Sequence, residues 1–477
     1  MTLIDFPAPP ASADALAPSA TESVCPVCLA TVPAERCVEG DAIVLVKTCP
    51  DHGSFSAPVW RGLASHRAWS AASVAAARPR AVATPVERGC PHDCGLCADH
   101  RQQSCCVLLE VTSRCDLACP VCYAAVGQGG RDLSLAEIDA RLDTLVAAGG
   151  QVHVQLSGGE PTIRDDLPEI VRRIRARGFD FVQINSNGVR LACDPDYLRD
   201  LVAAGLDCVF LQFDGVDDGV HRALRGARLM RLKARAIAAC GEAGVGVVLV
   251  PTVVPGVNDG QIGAIVDFAI AHMPTVRAVH FQPVAHFGRC RGEPATAARI
   301  TLPEIVEALV AHAGGALRFE DFRAGSAENP FCSFSGRFRV DDAGRLAPRP
   351  GMRAACCGTP APAVTTSCCG GAADDGSVRA SPDVARARRA VAGQWTLPPA
   401  AAEGPRDGFD AVLVDRARTL GLSGMAFQDA WTLDLERLRS CHVHVVADGG
   451  RLIPFCAYNL TATDGRSLYR SPAEAGA

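Results

Sequence analysis

Lysine is nearly absent from this chain. Lys47 and Lys233 are the two lysines among 477 residues. The other basic residues are arginines, and with so much alanine this reflects genomic base composition rather than chemistry. Positive charge is not in surplus either: 47 Lys and Arg face 52 Asp and Glu, for a formal net charge of -5. Without a basic block there is no electrostatic case for nucleic acid or for an anionic membrane surface. No uninterrupted apolar run reaches the ~18 residues of a membrane span, so no transmembrane segment is expected. The richest run, Val245 to Val254, is broken by Gly246 and Pro251 and reads as a buried strand. The first twenty residues have neither a basic start nor an apolar core, so no secretory signal is expected and the chain reads as cytoplasmic. No internal repeat is visible.

Cysteine is what stands in excess, with 23 residues in an otherwise ordinary globular composition of 48% hydrophobic and 21% charged residues. In a reducing compartment, clustered cysteines bind metal or do redox work more often than they form disulfides. They fall at 25–49, 90–122, 332–369 and 441–456. Cys193, Cys208 and Cys240 stand alone in expected helices or strands and read as small buried hydrophobes.

From about 106 to 312, strand and helix patterns alternate. Strands are expected at Cys106–Val111, Val152–Leu156, Phe181–Asn185, Cys208–Phe213, Val245–Val250 and Val276–Gln282. Capping boxes mark helix starts at Ser134/Glu137 and Thr301/Glu304, and Asp194-Pro195 marks another. Alternation of this length implies an α/β fold with a parallel sheet and right-handed crossovers, here a partial (β/α)6 TIM-like barrel. Such folds collect function at the C-terminal ends of their strands. Polar groups do follow every strand: Cys115–Cys122, Ser157-Gly158-Gly159-Glu160-Pro161, Asn185–Gly188, Gln212–Gly215, Pro251-Thr252 and Gln282-Pro283. The expected organisation is a small metal-binding N-terminal module over 1–85, a cysteine segment over 86–108, the barrel over 109–325 and a Cys-containing C-terminal domain over 326–477. Residues 341–408, rich in Pro, Gly and Ala, read as a flexible insertion, with order returning near Phe409.

Cys115-x3-Cys119-x2-Cys122 sits in a loop directly after the first barrel strand. Three thiolates can hold three irons of a [4Fe–4S] cube and leave the fourth open to a ligand. A zinc knuckle is the competing assignment, but zinc favours paired Cys-x2-Cys motifs that supply four ligands. With Tyr123 following, and Ser157-Gly158-Gly159-Glu160 after the second strand, the pattern resembles the radical S-adenosylmethionine (SAM) superfamily. The resemblance implies a [4Fe–4S] cluster whose open iron chelates SAM, reductive cleavage to a 5′-deoxyadenosyl radical, and an external electron donor of flavodoxin or ferredoxin type. It assigns Tyr123, Ser157, Gly158, Gly159 and Glu160 to SAM. Asn187, Gln212 and Asp214 fall where the family contacts SAM or substrate, although each also suits a loop cap or turn.

The remaining cysteines suggest further metal. Cys25, Cys28, Cys49 and His52 suit one tetrahedral ion, zinc or a rubredoxin-like iron, with Cys37 a competing ligand. Cys90, Cys94 and Cys97 repeat the triplet spacing ahead of the barrel, with Cys105 beyond, and suggest an auxiliary cluster or a zinc knuckle. Cys441 and Cys456 bracket an expected hairpin; with Cys332, and with Cys356-Cys357 as further thiols, they suggest a second auxiliary cluster. The order of these motifs resembles a narrower group that includes a tetraether lipid synthase and pterin methyltransferase-like proteins. That implies C–C bond formation, joining lipid chains or transferring a one-carbon unit to a heterocycle, on a small-molecule or lipid substrate. A peptide-modifying radical SAM enzyme and a non-catalytic Fe–S or zinc-binding protein remain the alternatives.

Overall fold

In the computed structural model the described residues are 18–470, apart from 73–76, 80, 127–128, 151, 291–297, 326, 350–381 and 400–414. The chain begins with an antiparallel meander of β1 (Ser19–Val24), β2 (Thr31–Glu39), β3 (Ala42–Cys49) and β4 (Gly53–Arg61), closed by α1 (Leu63–Ser70). The barrel follows as β5 (Cys106–Thr112), α2 (Leu135–Ala147), β6 (His153–Gly158), α3 (Leu167–Ala176), β7 (Val182–Ser186), α4 (Val189–Cys193), α5 (Pro195–Ala204), β8 (Cys208–Gln212), α6 (Asp218–Arg225), α7 (Met230–Ala243), β9 (Gly246–Val250), β10 (Thr252–Val253), α8 (Ile262–Ala271), β11 (Val276–Pro283) and α9 (Leu302–His312). The expected strands form in the expected order. The capping boxes at Ser134 and Thr301 form, and Asp194 caps α5 through its bond from the Tyr197 N–H.

The C-terminal segment supplies β12 (Arg323–Ala324), β13 (Ser333–Val340), β14 (Leu346–Pro348), α10 (Pro382–Trp395), β15 (Thr419–Met425), α11 (Leu435–Arg439), β16 (Val443–Val446), β17 (Leu452–Pro454) and α12 (Phe455–Tyr458). Two of these strands enlarge the barrel. β15 pairs parallel with β11 at one end, and β16 pairs parallel with β5 at the other. The large sheet therefore runs β12-β13-β15-β11-β9-β8-β7-β6-β5-β16-β17. Its outward faces pack on the helices through a continuous apolar core that includes Leu109, Leu156, Ile184 and Val209.

One expectation needs correction. The stretch 341–408 is not all loop, because β14 and α10 lie within it. The α10 sequence is built of alanine and arginine, both good helix formers, but Pro/Gly-rich segments flank it and hide the pattern. Gln394 fixes the helix, accepting at its carbonyl from Arg277 Nε at 3.2 Å and donating from Nε2 to the Arg277 carbonyl at 2.9 Å. The Trp395 ring lies tilted against Phe210, with centroids 5.0 Å apart. Phe409, Cys356, Cys357, Cys368 and Cys369 lie outside the described residues.

Candidate active site

β5 leads straight into the loop that carries Cys115, Cys119 and Cys122. All three border a single cavity of about 690 Å3. The loop is pinned at its start, where Arg114 grips Asp132 with Nε at 3.0 Å and Nη2 at 2.6 Å. It is pinned further along through its carbonyls. Arg225 Nη1 donates to Val121 O at 2.8 Å, Arg289 Nη1 to Cys119 O at 2.8 Å, and the Arg289 N–H to Cys122 O at 3.1 Å. Burial pushes the Cys115 thiol up to about 12. Burial also raises Cys119, while Arg225 and Lys233 oppose the rise. These cations favour the thiolate form that a metal requires.

The glycine motif crosses this loop closely. A Cβ on Gly159 would stand 1.9 Å from the Arg114 carbonyl oxygen, so only glycine permits the approach. The Glu160 N–H then bonds Arg114 O at 2.9 Å. Glu160 itself is buried, and burial raises its carboxyl above the ordinary range. Its Oε1 accepts from Thr162 Oγ1 at 2.6 Å and Ser186 Oγ at 2.9 Å, and its Oε2 from the Asn187 N–H at 2.6 Å. The carboxylate thus ties the ends of β6 and β7 together at the cavity wall.

Ser157, Gly158, Tyr123, Asn187 and Gln212 also border the cavity. Tyr123 meets Ser157 through a hydroxyl contact of 3.0 Å. Asn187 Nδ2 reaches across to Asp116 Oδ1 in the cysteine loop at 2.6 Å. Asp214 departs from the expectation. It is fully buried, and its carboxylate is engaged by Arg225 Nε and Nη2, both at 2.6 Å, and by the Thr252 N–H at 3.0 Å. It serves Arg225, and Arg225 borders the cavity in its place. The sequence reading missed Arg225, Arg289 and Lys233. For Arg225 and Lys233 the signal was indirect, since an aspartate at a buried strand end needs a cationic partner; Arg289, which bonds only carbonyls, gave none.

Away from the barrel, Cys25, Cys28, Cys49 and His52 bring their ligand atoms within 4.8 Å of one another. Cys28 and Cys49 sulfurs are 3.9 Å apart, and His52 Nδ1 lies 3.4 Å from Cys49 and 3.7 Å from Cys25. Those separations fit the edges of a tetrahedron around one zinc-sized ion. Cys37 sits in β2 opposite Val44, outside this group.

Cys90, Cys94 and Cys97 interact with one another, and the Cys94 thiol is raised first by its contact with Cys90 and then by burial. Tyr469 orders their turn, with its oxygen accepting from the Cys94 N–H at 3.0 Å and its O–H facing Pro91 O at 2.6 Å. Cys105 does not join this triplet. It packs with Ala327 and Val384 in a separate apolar cluster, and its titratable neighbours are Cys106, Glu328 and Arg388. Cys332 is brought together with Cys441 and Cys456, which flank the β16–β17 hairpin. Cys332 and Cys456 both act on Cys441, and Cys332 acts on Cys456. Arg437 Nη2 stands 3.5 Å from Cys332 Sγ.

A protein-family model of the radical SAM superfamily matches residues 109–269, from β5 into α8. The 7,8-dihydro-6-hydroxymethylpterin dimethyltransferase of Methanocaldococcus jannaschii is 30% identical over 472 residues, covering 92% of this chain and 93% of that one. The chain belongs to the radical SAM superfamily. Membership brings the [4Fe–4S] cluster and SAM with it, and makes the protein an enzyme. A second model, the HMPTM N-terminal zinc ribbon domain, matches residues 17–61, which contain the Cys25–His52 group. GTP 3′,8-cyclase 1 of Pseudomonas aeruginosa is 33% identical over 39% of this chain and 56% of its own. PqqA peptide cyclase of Streptomyces rochei is 33% identical over 34% of this chain and 44% of its own. Among solved structures, Streptococcus suis SuiB bound to precursor peptide SuiA is 16% identical over 45% of this chain and 47% of that chain, with a TM-score of 0.38. No helix among the described residues is long and apolar enough to cross a membrane.

Proposed function

We propose that this radical SAM enzyme transfers a one-carbon unit to a pterin-like heterocycle held in the barrel lumen. The observation that carries the reading is the chemistry of the lumen wall. Barrel interiors are usually packed with branched apolar side chains. Here the inward positions of β6, β7, β8 and β11 include Gln155, Gln183, Asn185, Gln212, His280 and Gln282, all bordering the cavity. The amides and the His280 imidazole fixed on these strands suit the edges of a planar, polar ring, and the apolar remainder of the wall, which includes Phe210, Phe334 and Trp395, suits its faces. The volume of about 690 Å3 falls within the usual ~300–1,000 Å3 of small-molecule sites. The pterin named for the M. jannaschii relative agrees with this chemistry.

Cys115, Cys119 and Cys122 would hold the [4Fe–4S] cluster, and Tyr123, Ser157–Glu160, Asn187 and Gln212 would flank SAM. When bound and reduced by an external donor, that pair supplies a 5′-deoxyadenosyl radical for hydrogen abstraction. The protein's own part is positioning. Arg225 and Arg289 fix the cysteine loop by its carbonyls, Glu160 ties the β6 and β7 ends, and the lumen amides orient the ring. Cys25, Cys28, Cys49 and His52 would hold zinc. Cys90, Cys94 and Cys97 would hold one auxiliary cluster, and Cys332, Cys441 and Cys456 a second. The division at 1–85, 86–108, 109–325 and 326–477 would then separate metal modules by function, although β15 and β16 join the barrel sheet.

The test is anaerobic turnover of reconstituted protein with dithionite, methyl-labelled SAM and a 6-hydroxymethylpterin in its dihydro form, read by mass spectrometry. Formation of 5′-deoxyadenosine with a methyl-equivalent mass gain on the pterin is expected. Production of 5′-deoxyadenosine only with an isoprenoid or acyl lipid overturns the heterocycle reading. Its absence with every substrate overturns the enzymatic one.

A further inference from the structure

At the lumen wall beside β13, the structure buries an acid that the cluster and SAM residues do not use. Glu328 is 6% exposed and borders the cavity together with Ser333 and His442. Its Oε1 accepts from Ser333 Oγ, and its Oε2 accepts from the Ala327 N–H at 3.1 Å. Among the described residues, the one basic side chain within salt-bridge distance is His442, whose Nδ1 lies 3.3 Å from Oε2 without forming an aligned hydrogen bond. Gly325 lies close beside this carboxylate. A Cβ on Gly325 would stand 2.7 Å from Glu328 Oε1.

An ionised carboxylate has about four acceptor sites, and the aligned protein donors fill two of them. Burying such a group is unfavourable unless it is paired and hydrogen-bonded. A carboxylate at a cavity wall with spare acceptor sites is therefore placed to receive a ligand that brings donors. The geometry that best suits two oxygens of one carboxylate is a pair of parallel N–H groups. The same lining also offers amides: Gln155 Nε2 donates to Asn185 Oδ1, and both side chains border the cavity. A ring with N–H donors on one edge and acceptors on the other matches this arrangement.

We propose that Glu328 is the specificity-determining anchor of the lumen, accepting the exocyclic amino group and adjacent ring N–H of a 2-aminopyrimidin-4-one. Ser333 and the Ala327 N–H hold the carboxylate in place, and Gly325 keeps the space around it open. The assignment rests on the heterocycle reading of the same cavity and names the edge of the ring that is recognised.

The experiment is equilibrium binding to the reconstituted full-length protein. The probes are 6-hydroxymethylpterin, its 2-oxo counterpart 6-hydroxymethyllumazine, and isocytosine, which carries the proposed edge alone. Wild type should prefer the pterin over the lumazine by about tenfold or more, the discrimination expected of one bidentate pair. Glu328→Gln should bring that ratio close to one while SAM binding and the cluster's EPR signal persist. If Glu328→Gln does not fold, Ser333→Ala serves instead and should reduce the ratio part-way. A wild-type ratio near one, or a ratio retained in the variants, overturns the anchor and leaves the heterocycle reading standing. Glu328-dependent binding of isocytosine without pterin binding keeps the anchor and overturns the pterin reading. Failure of all three probes overturns both.

Discussion

Arg225 ties the cysteine loop to a buried carboxylate, and its removal gives a sharp test of the site. The guanidinium pairs bidentately with Asp214 at 2.6 Å on both arms, donates to Val121 O at 2.8 Å and reaches Thr252 Oγ1 at 2.9 Å. Arg225 is 6% exposed and Asp214 0%. In Arg225→Met the Asp214 carboxylate keeps only the Thr252 N–H, so a buried charge loses its partner. Breaking a buried pair from one side costs about 3–5 kcal/mol, a large share of the ~5–15 kcal/mol that holds a domain folded. Removing both partners in Asp214→Asn/Arg225→Met leaves no orphaned charge, so the double variant should be more stable than the two single losses summed. Arg225→Lys should recover part of the stability and little of the loop geometry, because an ammonium cannot serve Asp214 and Val121 in one plane. Urea denaturation of wild type, Asp214→Asn, Arg225→Met and the double variant gives the coupling energy, and iron content with EPR line shape reports the loop. A loss in Arg225→Met below about 1 kcal/mol, or strict additivity in the cycle, refutes the pairing as described. Stability loss with unchanged iron and EPR signal refutes the link to the cysteine loop.

Further outcomes follow from the same geometry. Gly159→Ala forces a methyl against the Arg114 carbonyl, which is backbone and cannot swing aside, so iron retention should fall sharply; a variant that reconstitutes like wild type contradicts the close crossing. Cys441→Ala should lower iron per chain, whereas Cys105→Ala should leave it unchanged, because Cys105 faces Ala327 and Val384; equal loss in both would reassign Cys105 to a cluster. Cys28→Ala should remove zinc without altering the barrel cluster's EPR signal, as measured by elemental analysis. Burial lowers His153 from its ordinary value to about 4. The unfolded chain then binds more protons between about pH 6.5 and 4, so this contribution is complete above 6.5 and is lost as pH falls through that window. Its full size is about 3 kcal/mol. His153→Gln should flatten the stability-against-pH curve there, and an unchanged slope would contradict the buried neutral imidazole.

The barrel was legible because each of its strands is continuous in sequence and ends on a polar group. Cys115–Cys122 and Ser157–Glu160 stand out because each directly follows a barrel strand. What stayed hidden depends on distance along the chain. β15 carries Gly421 and Gly424, which weaken a strand pattern, and it is held by pairing with β11 and β13. β16 read as half of a hairpin with β17, which it is, but its parallel register against β5 joins residues more than three hundred positions apart. Arg225 could not be assigned to the cysteine loop until α6 was placed beside it. Glu328 gave no signal at all, because a single glutamate before Asn-Pro reads as a turn residue until burial is known.

These long-range pairings explain why the last segment of the chain matters to sites that precede it. Asp434 receives Arg36 Nε at 2.7 Å and Thr21 Oγ1 at 2.9 Å from the N-terminal meander. Asp429 clamps Arg299 beside α9, Tyr469 orders the Cys90–Cys97 turn, and Arg470 pairs with Glu110 on β5. Cys332 meets Cys441 and Cys456 because the two ends of the large sheet, near which β13 and β16 lie, approach each other. His442 and Ser333 immediately follow two of these cysteines in sequence, and they flank Glu328 at the lumen wall. The fold therefore sets the C-terminal thiols and the anchor carboxylate on the same short pieces of backbone. A substrate held by Glu328 would lie against the segment that carries those thiols, in the same cavity that the Cys115–Cys122 loop borders.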